Sequence, residues 1–124
     1  MQSPINILER YWNFTSFKPL QEDIINAVLE NEDTLALLPT GGGKSVCFQI
    51  PALVKEGICI VVSPLIALMT DQVNGLKGKG IKAMALTSKY SLNDILFDSF
   101  IPYFTPFLSI RVQGLKLSNI FRMY

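Results

Sequence analysis

The sequence predicts an α/β fold with a mostly parallel sheet flanked by helices, and two observations carry that prediction. Helical and strand-like patterns alternate over the first hundred residues, the order expected where parallel strands are joined through crossover helices. The strand-like runs are also continuously apolar rather than alternating, which suits strands covered on both faces. At 49% apolar residues the chain has ample material for a packed core.

Pro19 can occupy the first turn of a helix, and Leu20, Ile24, Ile25, Val28 and Leu29 then share one face at helical spacing. Asn31-Glu32-Asp33 turns the chain, and Thr34 to Leu38 reads as a short buried strand ended by Pro39. A second helix should begin near Gly43-Lys44 and run through Val46, Cys47 and Ile50, with Pro51 bending or ending it. Ile58 to Val62 is β-branched and unbroken apart from Cys59, the pattern of a central strand. Ser63-Pro64 opens a further helix whose stripe is Leu65, Leu68, Met69, Val73 and Leu76, closed by Gly78 and Gly80. Lys82 to Leu86 reads as another strand, and Ser91 to Phe100 as a helix in which Ser91 and Asp94 resemble a capping box.

Composition leaves several functions open and closes others. The net charge of +1 neither announces nor excludes a polyanionic partner, because a local patch binds phosphate without moving the total. Cys47 and Cys59 lack the paired spacing of a zinc site and read as buried, reduced thiols. No basic stretch leads into an apolar run at the N-terminus, so no signal peptide is expected and a cytoplasmic location follows by default. The most apolar segment, Ile95 to Ile110, is broken by Asp98, Pro102 and Pro106 and falls short of the roughly 18 residues a membrane span needs. Five of the eight phenylalanines lie from Phe97 onward, and no acidic residue follows Asp98. Residues 1–96 therefore read as one region and 97–124 as an aromatic-rich tail of unassigned structure.

The strongest chemical signal is Pro39-Thr40-Gly41-Gly42-Gly43-Lys44-Ser45, between an expected strand and an expected helix. Glycines let the backbone curl so that successive N–H groups face phosphate oxygens, and a helix N-terminus adds the positive end of its dipole. Lys44 would reach the β- and γ-phosphates, and the Ser45 hydroxyl would ligate Mg²⁺. A general phosphate loop has glycine where this chain has Leu38. The shorter Thr-Gly-x-Gly-Lys-Ser form is the one superfamily-2 helicases carry.

Three blocks in order, Phe17-Lys18-Pro19-Leu20-Gln21, the glycine-rich loop, and Val61-Val62-Ser63-Pro64-Leu65-Ile66-Ala67-Leu68-Met69-Thr70-Asp71-Gln72-Val73, resemble the RecQ family of ATP-dependent DNA helicases. The resemblance runs from about Leu8 to about Ser88 and implies an incomplete RecA-like P-loop domain. It also implies 3′ to 5′ DNA unwinding in recombination and repair, with ATP and Mg²⁺ as cofactors and single-stranded or partly duplex DNA as partner. Under it Lys44 and Ser45 are the catalytic residues, and Phe14, Lys18, Gln21, Thr40, Gly41, Gly42 and Gly43 join them in holding the nucleotide. Gln21 takes the place of the family's adenine-reading glutamine, and Phe14 that of the stacking aromatic, with Trp12 as its substitute. The family usually has arginine at Lys18; lysine keeps the charge but loses the planar fork. Ser63, Pro64, Leu65, Thr87 and Ser88 fall where related helicases touch a single strand. Without the resemblance, Gln21 is a polar residue in a helix's first turn, and Ser63 and Thr87 are ordinary helix caps.

A motor of this kind also needs an Asp-Glu pair and a second RecA-like domain. No Asp-Glu dipeptide follows Leu86, so the sequence reads as a truncated or frameshifted helicase that binds ATP and Mg²⁺ weakly and does not unwind alone. The competing reading is a nonenzymatic nucleotide-binding or interaction module, with self-association through Phe97, Phe100, Phe104 and Phe107. A fragment of another superfamily-2 helicase is the other alternative.

Overall fold

The computed structural model describes residues 2–39, 41, 43–56, 59–63 and 65–86, together with the backbone of 107–110 and 121–122. Contacts group the chain into two compact units, Met1–Glu56 and Gly57–Tyr124.

The first unit is helical. Helix α1 spans Pro4–Trp12: the Ser3 hydroxyl accepts from the Asn6 N–H at 3.4 Å, and Pro4 stands in the first turn, where its missing N–H costs nothing. The helix stops at Asn13, whose φ of 58° is left-handed and whose N–H donates to the Glu9 carbonyl at 3.1 Å. Nothing in the sequence reading anticipated α1, although Ser3-Pro4 followed by Ile7, Leu8 and Tyr11 carries its signal.

Helix α2, Gln21–Leu29, begins later than the sequence predicts. Pro19 and Leu20 form a turn ahead of it, and Leu20 has φ 69° and ψ −16°. It is 56% exposed, so it leaves the apolar face on which helical spacing had placed it. The helix closes on Asn31 in the left-handed region (φ 63°), with Asn31 N–H donating to the Val28 carbonyl and Glu32 N–H to the Ala27 carbonyl. Lys55 Nζ reinforces that end, donating to the Val28 carbonyl at 2.9 Å and to Asn31 Oδ1 at 2.6 Å.

Thr34 to Leu38 is extended but is not a strand. A strand is held by a ladder of partner N–H and carbonyl groups, and among the described residues none is paired with this run. Exposure alternates along it: Leu38 is buried, whereas Leu35 and Leu37 are 77% and 79% exposed. The run has one covered face, not the two that an all-apolar sequence suggests.

Helix α3, Lys44–Val54, runs straight through Pro51. Pro51 lies near its C-terminal end, where its carbonyl still accepts from the Lys55 N–H at 2.9 Å. Only the bond that Pro51's absent N–H would have made is lost, which a short terminal turn tolerates. Ile7 and Leu8 of α1, Ile25 of α2, and Val46 and Ile50 of α3 form the core of this unit, with Tyr11, Trp12, Phe17 and Leu29 against it. Each fully buried aliphatic side chain there contributes about 1.5–3 kcal/mol.

In the second unit, β1 (Cys59–Val62) leads to α4 (Ile66–Gly78) and β2 (Ala83–Leu86), followed by β3 (Phe107–Ile110) and β4 (Phe121–Arg122). β1 pairs in parallel with β3 and β4, and β2 pairs in parallel with β3, giving the order β2-β3-β1-β4. β1 is interior by pairing, yet only Val61 is buried and Ile60 is 39% exposed, so it lacks the two-sided cover its composition predicts. Helix α4 buries Met69, Val73 and Leu76 and leaves Leu65 and Leu68 exposed, correcting the upper part of the expected stripe. Leu65 precedes the helix, and Leu68, in its first turn, stands one residue off the line of Met69, Val73 and Leu76. The helix ends on Gly80 (φ 77°), with Gly80 N–H donating to the Lys77 carbonyl and Ile81 N–H to the Leu76 carbonyl. That is the left-handed ending for which glycine is the ordinary choice, and both Leu76 and Ile81 are 4% exposed. The helix expected over Ser91 to Phe100 lies outside the described residues. Among the described residues no helix is long and apolar enough to cross a membrane.

Candidate nucleotide site

The glycine-rich loop and the segment before α2 are tied together by side chains. Gln21 is the first residue of α2 and is 4% exposed. Its Oε1 accepts from the Lys18 N–H at 2.8 Å, and its Nε2 donates to the Gly43 carbonyl at 3.1 Å. The Gln21 N–H also donates to the Lys18 carbonyl at 3.1 Å, so residues 18–21 close reciprocally on themselves. Lys18 is exposed, and its Nζ donates to the Gly41 carbonyl at 3.0 Å. Amide and ammonium therefore sit on two carbonyls of the loop, fixing which way its peptide planes face.

Gly41 and Gly43 have φ of 79° and 77°, the left-handed conformation glycine adopts without penalty. Position 43 has a second reason to be glycine: a Cβ there would collide with Gln21 Nε2. With carbonyls turned toward Lys18 and Gln21, the loop leads into α3 at Lys44, and Gly43 at the cap position has no side chain to cap that helix. The first-turn N–H groups and dipole of a helix N-terminus favour an anion. Lys44 is exposed and Ser45 half-buried on this first turn. Phe14 is 55% exposed on the chain after α1.

Thr40 and Gly42 lie outside the described residues, as do Pro64, Thr87 and Ser88. Ser63 is 4% exposed, and its hydroxyl is engaged locally: it accepts from the Leu65 N–H at 3.2 Å and donates to the Leu65 carbonyl at 3.5 Å. Ser63 thus sets the turn ahead of α4, while Leu65, 60% exposed, stands at the surface.

Two participants were not singled out as part of the site from the sequence. Leu20 supplies the left-handed turn that precedes Gln21, and Cys47 places its Sγ 3.7 Å from the Gly43 carbonyl. The dipeptide Pro19-Leu20 was the available clue to the first, since proline favours the leading position of a turn as well as of a helix. Cys47 is buried and Cys59 half-buried, and both are free thiols. Burial raises the Cys47 thiol, against a smaller opposing effect of a backbone hydrogen bond, and pushes Cys59 up to about 11. Neither is a reactive thiolate near neutral pH. Among the described residues no cluster of His, Cys, Asp and Glu could hold a metal.

A Gly-Lys-Ser loop opening a helix is the mark of phosphate-loop proteins, the class to which helicase motors belong. Residues 18–97, well over half the chain, match the DEAD/DEAH box helicase family, and the chain belongs to that family. Within it the similarity is to RecQ-type helicases. The chain is 52% identical over 82 residues to the probable ATP-dependent DNA helicase RecS of Bacillus subtilis (strain 168), covering 65% of this chain and 16% of that protein. It is 48% identical over 90 residues to the ATP-dependent DNA helicase RecQ of Synechocystis, covering 73% of this chain and 19% of that protein. With the ATP-dependent helicase SGS1 of Saccharomyces cerevisiae it shares 46% over 86 residues, 66% of this chain and 6% of that protein. The chain thus spans less than a fifth of each of these relatives.

Proposed function

We propose that this chain is the ATP-binding part of a RecQ-type DNA helicase, an incomplete RecA-like P-loop domain built around the Lys18-Gln21-Gly43 connection. The observation that carries the proposal is that one buried amide joins the segment preceding α2 to the phosphate loop. A nucleotide has two ends to be recognised, and in this reading the connection would bring groups for both into one unit. Triphosphate oxygens would lie against the N–H groups of residues 41–45, with Lys44 neutralising the β- and γ-phosphates. The Ser45 hydroxyl would hold Mg²⁺, which would supply positive charge against the phosphates. Gln21, Phe14 and Lys18 would meet the adenine: the amide at its polar edge, the ring at its face, the ammonium at its periphery. Thr40 and Gly42 complete the loop in this reading.

DNA would be met at Ser63, Pro64, Leu65 and Thr87-Ser88, by contacts to the sugar-phosphate chain that carry no sequence information. With the Ser63 hydroxyl held by Leu65, Ser63 shapes the turn, and contact with the strand would fall to its neighbours, exposed Leu65 among them. The resulting activity of the whole helicase is ATP-driven 3′ to 5′ unwinding. The 124 residues by themselves should bind Mg²⁺-ATP without turning it over, because the Asp-Glu pair that orients the attacking water is not among them.

Calorimetric titration of Mg²⁺-ATP into the wild type and Lys44→Ala tests the reading, with phosphate release followed on the same samples with and without single-stranded DNA. Binding that is lost in Lys44→Ala, without turnover, is the expected result. A folded wild type that binds no Mg²⁺-ATP would sink it.

A further inference from the structure

The feature that the nucleotide reading leaves unexplained is Leu20. Its φ of 69° and ψ of −16° are those of the second central residue of a type II turn. Pro19 suits the first central position, but the second is ordinarily glycine or asparagine, because a Cβ in the left-handed region crowds the backbone. Leu20 gains nothing visible by burial, being 56% exposed. The strain is therefore held in place by what surrounds the turn. On one side the Lys18 N–H and carbonyl are both bonded to Gln21; on the other the Leu20 carbonyl accepts the first helical bond of α2, from the Ile24 N–H at 3.1 Å. The Gln21 amide then reaches Gly43.

From this geometry we infer that Leu20 is a strained positioning residue: its left-handed turn holds the Gln21 amide on the Lys18 N–H and the Gly43 carbonyl at once, and so sets adenine preference. The inference rests on the nucleotide reading above. If Leu20 relaxed to negative φ, the central peptide of the turn would flip and α2 would enter at another angle. Gln21 would then keep Lys18 or Gly43 but not both. The loop would remain glycine-rich and able to wrap phosphate, but the plane of the amide that meets the base would no longer be fixed.

Three variants separate strain, side chain and positioning. Leu20→Gly relieves the strain and keeps the turn, Leu20→Ala removes the side chain and keeps the strain, and Leu20→Val adds a β-branch that the left-handed region rejects. Melting temperature and calorimetric titration of Mg²⁺-ATP, Mg²⁺-GTP and Mg²⁺-tripolyphosphate are measured on each. Leu20→Gly should melt about 4–8 °C above Leu20→Ala, the shift ordinarily produced by relief of one strained residue in a small domain. Leu20→Val should lose roughly fivefold or more of its preference for ATP over GTP, the scale of one bidentate amide contact, while tripolyphosphate binding persists. Leu20→Gly melting at or below Leu20→Ala overturns the strain. A preference for ATP in Leu20→Val equal to the wild type's overturns the positioning, and a folded wild type that binds neither ATP nor tripolyphosphate overturns the nucleotide reading and this inference with it.

Discussion

The two compact units differ in what their apolar residues do. In residues 1–56 the core draws its buried members from three helices, Ile7 and Leu8 of α1, Ile25 of α2, and Val46 and Ile50 of α3. In the unit from Gly57 onward, β1 buries only Val61, and the first two leucines of the α4 pattern, Leu65 and Leu68, are exposed. In the first unit three side-chain bonds join separate elements, Lys18 to Gly41, Gln21 to Gly43 and Lys55 to Val28, beside local ones such as Ser3 with Asn6. In the second, Ser63 and Thr70 bond within two to four residues of themselves. Long-range polar bonds tie the glycine-rich loop to the segment before α2, whereas the bonds of Ser63 and Thr70 among the described residues set local backbone.

That comparison is broken or sharpened by substitutions on each side. The largest effect is expected for Gly43→Ala, which combines left-handed strain with collision against Gln21 Nε2. Stability should fall by about 2–4 kcal/mol, the sum of strain and an unmade buried hydrogen bond, and ATP binding should vanish in calorimetry. Gln21→Ala comes next: it removes two bonds from a buried side chain, at about 2–3 kcal/mol in urea melts. Gln21→Glu should recover only the Lys18 bond, since a carboxylate cannot donate to the Gly43 carbonyl. In the second unit, Gly80→Ala should cost about 1 kcal/mol by forcing a Cβ into the left-handed ending of α4, with nucleotide affinity unchanged. An equal loss of affinity in Gly80→Ala would show that the division between the units is wrong.

The smallest effect concerns pH. The Cys59 thiol is raised from 9.0 to about 11 by burial, so the folded chain holds a proton that the unfolded chain releases above pH 9. The stability this contributes is fully present below pH 9 and is lost as pH rises toward about 11. Cys59→Ala should flatten the fall in melting temperature across that window, and a fall of unchanged slope would assign it to other groups.

Much of the site was legible because it is written in backbone chemistry. Gly41, Gly43 and Lys44 announce a curled loop entering a helix, since few other sequences satisfy left-handed φ and an uncapped helix start together. Gln21 was expected to meet the base by resemblance, and otherwise to be a polar residue of a first helical turn; that its amide is anchored to the chain's own Lys18 and Gly43 depends on a turn whose residue, Leu20, gives no left-handed signal. Apolar runs were harder to read: Ile58 to Val62 contains the expected strand, over Cys59–Val62, but with less cover than expected, and Thr34 to Leu38 forms none, because cover is supplied by neighbours that composition does not name. Helix α1 was overlooked although Ser3-Pro4 marks its start, because its single stripe is short. The family match covers residues 18–97, a span that contains all but Phe17 of the three blocks readable from residues alone.

Amide hydrogen exchange with and without Mg²⁺-ATP tests the central claim most directly, because it reports on both halves of the site in one experiment. Residues 18–21 and the loop and first turn of α3 should gain protection together in the wild type, and lose that joint gain in Gln21→Ala. Protection of the loop alone, with residues 18–21 unchanged by bound ATP, would contradict the account and leave a phosphate site with no connection to the base.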